Sequence, residues 1–159
     1  MAYRVIQWGS GNVGTQVIQE IARRRDLKLA GLFVYSPDKD GQDAGTIAGI
    51  DKLGVKATGD ARKIIGMNAD CVIHSPLSSL VYGEELEEDL EVICTLLASG
   101  KNVISSVGYM YPKVHGPKLV QRLQDACQQG QSTFHSTGLN PGWMGDLIPL
   151  TMSALCETI

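Results

Sequence analysis

The stretch VIQWGSGNVGTQVIQE, Val5 to Glu20, sets Gly9, Gly11 and Gly14 between an apolar run and an amphipathic one. Tyr3–Trp8 reads as a strand. Asn12–Arg24 reads as a helix, with Val13, Val17, Ile18 and Ile21 on one face at helical spacing. G-x-G-x-x-G is a weak signal alone and a specific one where it follows a strand and opens a helix. Each glycine then has a task. Gly9 permits the tight turn, Gly11 lets a pyrophosphate approach the backbone, and Gly14 lets the helix pack close to the sheet. The free N–H groups at the helix start, with the helix dipole, bind phosphates. Asn12 is expected to cap that helix and Ser10 to donate to a phosphate. A turn that binds nothing needs one glycine, and each further one costs backbone entropy.

The same alternation continues outward. Leu27–Tyr35 is a near-continuous apolar run, as a strand covered on both faces requires. Ser36–Gly41, SPDKDG, has the composition of a loop. Asp43–Gly49 reads as one or two helical turns, Val55–Thr58 as a short strand and Asp60–Gly66 as a short helix. Ala69–His74 is the next strand. Glu84–Ser99 is the strongest helix, with Leu86, Leu90, Ile93 and Leu97 inward, acidic residues in its first turns and Gly100 closing it. Asn102–Ser106 reads as a strand, Pro117–Gln129 as a helix ended by Gly130, and Ser132–Ser136 as a strand. After the turn-rich TGLNPGWMG comes a helical stretch, Asp146–Glu157. About six strands with helices between them predict a Rossmann-type doubly wound parallel α/β sheet.

Composition narrows the function classes. A chain of 159 residues suits one domain and buries a core without disulfides or metals. A net charge of -3 offers no basic field to nucleic acid or acidic membranes. No run is apolar enough to span a bilayer, and Arg23-Arg24-Arg25 complements the dipole at a helix end. Cys71, Cys94, Cys127 and Cys156 lie far apart, without CxxC or a histidine at ligand spacing. They read as small buried hydrophobes in a reducing compartment, with no metal site. The start, MAYRVIQWGSG, enters a strand at once, so a secretory leader is not expected and the cytoplasm is.

An NAD site usually carries Asp or Glu at the tip of the second strand. Here the tip reads Phe33-Val34-Tyr35-Ser36. Ser36 and Lys39 follow, and both suit a 2′-phosphate, so NADP(H) is expected ahead of NAD, with dual use open. Asp38 pulls the other way, toward a ribose, and Lys39 reads equally as a solvated loop charge. Ligands of such sheets lie outside the carboxyl ends of the strands. Those ends carry His74-Ser75-Pro76-Leu77-Ser78, Ser106-Val107-Gly108-Tyr109-Met110-Tyr111-Pro112 and Thr137-Gly138-Leu139-Asn140-Pro141-Gly142-Trp143. His74 reads as a ribose contact or an acid, and as readily as a satisfied strand-end histidine. His115 and His135 read as structural, Tyr109 and Tyr111 as proton donors or pocket walls. NPGW also fits a plain tight turn.

YRVIQWGSGNVG, SPDKDGQDAG, NVISSVGYMYP and GLNPGWMGDLIPL, in that order, resemble the dihydrodipicolinate reductase-like family. The resembling branch includes NAD(P)H-dependent amine dehydrogenases and 2,4-diaminopentanoate dehydrogenase. The resemblance implies a cofactor domain followed by a substrate domain, hydride transfer at a carbon bound to nitrogen, a small-molecule substrate and a homodimer. It implies that Gly9, Ser10, Gly11, Asn12, Val13 and Gly14 hold the pyrophosphate. It sets Ser36 and Lys39 at the adenosine ribose, His74, Ser75, Ser106 and Val107 on the nicotinamide side, and Asn140, Pro141 and Gly142 near the reacting face. Two departures stand out. The amine dehydrogenases' catalytic glutamate falls at Val107-Gly108, where no carboxylate stands, and the His-His…Lys segment of the reductases is absent. The expected chain is therefore a fragment of a two-domain protein, inactive alone. A naturally short protein is the alternative. The competing functions are a non-catalytic dinucleotide- or CoA-binding redox sensor and an interaction domain with a vestigial site.

Overall fold

The computed structural model describes residues 2–79 and 87–156, with side chains for all of these but 139–142. Six parallel strands form one sheet in the order β3-β2-β1-β4-β5-β6. They are β1 (Tyr3–Trp8), β2 (Leu27–Phe33), β3 (Ala57–Thr58), β4 (Cys71–His74), β5 (Asn102–Ser105) and β6 (Phe134–Ser136). This is the doubly wound, Rossmann-type order, with its crossover direction reversing between β1 and β4. Trp8 lies in register with Phe33 on one side and His74 on the other, so the strand ends line up at that reversal.

Helices α1 (Asn12–Arg23) and α2 (Ala44–Ile47) cover one face. There Ile18 and Ile21 meet Val5, Leu29, Leu32 and Val34. Helices α3 (Ala61–Gly66), α4 (Glu88–Ala98) and α5 (Pro117–Gly130) cover the other, where Leu90, Ile93, Leu96 and Leu97 pack on Ile6, Trp8, Val72 and Val103. Full burial of each such side chain stabilises by about 1.5–3 kcal/mol. The first face, that of α1 and α2, opens toward β5 and β6, where Asn102, Ile104 and His135 are exposed.

Several expectations are corrected. Gly11, not Asn12, is the N-cap of α1, and no side chain caps it. Val13 is exposed rather than inward. Gly130 belongs to α5, and Gln131 closes it in the left-handed conformation, φ 50°. Gly130 is required instead by contact, because a Cβ there would run into the Leu97 carbonyl at the end of α4. The stretch around NPGW is a wide π-helical run, Leu139–Leu147, leading into α6 (Ile148–Ser153). Cys71, Cys94 and Cys127 are half-buried and Cys156 is exposed, so the cysteines do not form part of the deep core. The expected start of α4 at Glu84, with Leu86, and the end of the last helix at Glu157 lie outside the described residues. Among the described residues no helix is long and apolar enough to cross a membrane.

Candidate dinucleotide site

The glycine turn lies where the topology predicts, at the end of β1 and against the end of β4. Gly9 has φ +98°, and a Cβ on it would stand 2.9 Å from the Ser75 carbonyl oxygen. Its N–H donates to Phe33 O at 3.0 Å, so the turn is tied to β2 as well. Gly14 is buried, and a side chain there would collide with the Gly9 carbonyl and the Gln7 amide. Both glycines are demanded by the chain's own packing. Gly11 differs. Its φ of −77° suits any residue, it is exposed, and a Cβ on it would meet nothing within 4 Å.

The start of α1 carries no side-chain cap and no acidic residue in its first turn. Its first N–H groups therefore keep their partial positive charge for an anion. Lys39 reaches this turn from the loop after β2. Its ammonium donates to Ser10 O at 3.1 Å and Ser10 Oγ at 3.3 Å. Lys39 is thus tied to the glycine turn rather than standing as a free solvated charge.

Beyond β2, Phe33, Val34, Tyr35, Ser36, Pro37, Asp40 and Gly59 line a cleft of about 450 Å³. Trp8 stacks on Phe33 with centroids 4.0 Å apart, and its indole N–H donates to Tyr35 Oη at 2.9 Å. The phenol's own proton is thus not used in this bond. Asp40 accepts from Gly59 N at 3.1 Å, while Asp38 is exposed.

At the end of β4 His74 is fully enclosed. Its Nδ1 lies 3.0 Å from Ser105 Oγ, and its Nε2 has no partner among the described residues. Burial depresses its pKa from 6.5 to about 3, so the ring is neutral near pH 7. It does not serve as a cationic acid at the sheet edge. The unfolded chain takes up this proton below about pH 6.5 and the folded chain only near 3. Stability is therefore complete above 6.5 and falls toward 3, by about 1.4 kcal/mol per pH unit. His74→Asn is expected to flatten this slope in urea melts between pH 6.5 and 4. An unchanged slope would contradict the assignment.

The remaining expected residues separate. Ser75 is buried and accepts from Gln7. Ser106 is exposed at the edge, with its N–H on His74 O. The Val107 side chain is buried in the core cluster, so only its backbone belongs to the edge. Tyr109 is also enclosed, with its pKa pushed up to about 12 by burial, whereas Tyr111 is exposed. His115 bonds Gly108 O at 3.1 Å. The side chains of Asn140, Pro141 and Gly142 lie outside the described residues. The sequence reading missed Gln7, Ser105 and Tyr35. Gln7 and Ser105 had one available signal, a polar residue inside a strand otherwise rich in apolar residues.

The family model for the N-terminus of dihydrodipicolinate reductase matches residues 3–83. An amine dehydrogenase of Streptomyces virginiae is 30% identical over 157 residues, 97% of this chain and 42% of that protein. A 4-hydroxy-tetrahydrodipicolinate reductase of Anaeromyxobacter sp. (strain Fw109-5) is 41% identical over 69 residues, 43% of this chain and 25% of that protein. In fold, the chain is similar to an amine dehydrogenase from Mycobacterium smegmatis, with a TM-score of 0.80 at 23% identity, over 96% of this chain and 44% of the other. The chain thus spans less than half the length of these relatives.

Proposed function

The chain belongs to the family defined by the dihydrodipicolinate reductase N-terminus, and on that premise we propose that it is the cofactor domain of an NAD(P)H-dependent oxidoreductase acting at a C=N or C–N centre. Gly11 carries the reading. The chain's own packing does not require a glycine there, while a pyrophosphate lying against the backbone does. The uncapped start of α1 fits the same anion.

A nicotinamide dinucleotide bound here supplies the hydride chemistry. The chain's residues bind and orient it. Ser10, Gly11, Asn12, Val13 and Gly14 hold the phosphates through the turn and the helix start. Tyr35 and Ser36 line the cleft that takes the adenosine end. Ser75, Ser106 and the Val107 backbone border the other end, and the family resemblance assigns Asn140, Pro141 and Gly142 to the reacting face. His74 and Tyr109 are enclosed, so neither reaches a molecule at the edge to hand it a proton. The proton donor and the substrate-holding surface belong to a second domain, a reading that the greater length of the relatives supports. This domain alone is inactive, because catalysis needs the reactants held at near-attack distance and away from water. The relatives, a dehydrogenase and reductases, do not favour a non-catalytic sensor. Four free cysteines are consistent with the cytoplasm.

The donors at the β2 tip favour NADP(H) over NAD. Lys39→Ala is expected to weaken NADPH binding at least tenfold and NADH binding less, with the difference shrinking at high salt. Calorimetric titration of both cofactors checks this. Equal losses would assign Lys39 to the shared phosphates rather than to the 2′-phosphate.

A further inference from the structure

Gln7 lies one residue before the end of β1, fully buried. Its Nε2 donates to Gly9 O at 2.9 Å and Ser75 Oγ at 2.7 Å, with Trp8 O at 3.2 Å. Its Oε1 has no partner among the described residues. An unsatisfied buried acceptor costs about 1–3 kcal/mol, so an apolar residue at position 7 would spare the core that cost.

The Gly9 carbonyl points inward. It is wedged between Gly14 and Gln7, and among the described residues Gln7 Nε2 is its hydrogen-bond donor. A trans peptide aims its C=O and N–H in opposite directions. With Gly9 O directed into the protein, the N–H of Ser10 is directed out of the turn, and it donates to no acceptor among the described residues. We infer that Gln7 is a positioning residue which fixes the Gly9–Ser10 peptide so that the Ser10 N–H faces a bound diphosphate. The inference rests on the dinucleotide reading above. Ser75, the amide's second acceptor, extends the same lock to the loop after β4. One buried amide thereby sets the turn against both strand ends that flank the crevice.

Amide NMR of the wild-type chain titrated with NADPH tests this directly. The Ser10 amide is expected to shift among the most strongly affected signals, together with those of Asn12, Val13 and Gly14. In Gln7→Leu and Gln7→Met, NADPH affinity falls at least tenfold and the Ser10 response is lost, while the Gly9–Ser10 peptide is free to turn over. A general weakening of the fold would lower all responses together and would not single out Ser10. A Ser10 amide that stays still in the wild-type chain while Asn12–Gly14 move overturns the inference, whatever the variants do. So do variants that bind within twofold of wild type. Failure of the wild-type chain to bind any dinucleotide overturns the parent reading instead.

Discussion

Gly11→Asp binds NADPH at least 100-fold more weakly than the parent chain and unfolds at the same temperature or slightly above it. The two halves of this result have separate causes. Asp is among the preferred N-cap residues, whereas Gly at that position is tolerated. Gly11 is the N-cap of α1, with ordinary backbone angles and open space where a side chain would grow. The carboxylate meets the free N–H groups of the helix and a favourable dipole. The same carboxylate occupies the phosphate position and repels it. A loss of 100-fold corresponds to about 2.7 kcal/mol, within reach of one charge placed against a diphosphate. Calorimetric titration and a thermal melt of the same sample decide the matter. Unchanged affinity would mean that the phosphates do not lie on this turn.

Gly14→Ala has the opposite pattern, with stability lost first. A single methyl at position 14 would be driven into the Gly9 carbonyl oxygen and against the Gln7 amide. Both neighbours are held, the first by the turn and the second by three acceptors. Relief requires α1 to move away from β1, which uncovers the packing of Ile18 and Ile21 on the sheet. Overpacking of this kind typically costs about 1–3 kcal/mol, and backbone contact raises it. The expected loss is at least 3 kcal/mol in denaturant unfolding, with binding lost through the fold. A variant as stable as the parent would mean that α1 does not sit tightly on β1. The pair separates the glycines by why each lacks a side chain, Gly11 for the ligand and Gly14 for the packing.

Much of this architecture is legible in the residues themselves. The change from a strand-like run to a helical face across Gly9–Gly14 places β1 and α1 to within a residue or two. Periodicity along Leu90, Ile93 and Leu97 marks the inner face of α4, and all three are fully buried. What stayed hidden depends on partners distant in sequence. Gln7 looks like an ordinary strand residue until Gly9 and Ser75 are brought beside it. Val107 looks like an edge residue until the core claims its side chain. Lys39 reads equally as a phosphate contact and as a solvated charge until the loop folds back on Ser10. His74 is ambiguous for the same reason, because only burial fixes its neutral state. Propensity puts the cap of α1 at Asn12, since Asn is a better cap than Gly, but the turn, not propensity, sets where the helix begins.

The most direct measurement is isothermal calorimetry of the purified chain with NADPH, NADH and coenzyme A in separate titrations. Saturable binding of NADPH and NADH with one site per chain, tighter for NADPH, and no heat from coenzyme A is the expected result. Binding of coenzyme A alone, or of none of the three, would contradict the assignment of the Gly9–Gly14 turn to a nicotinamide dinucleotide.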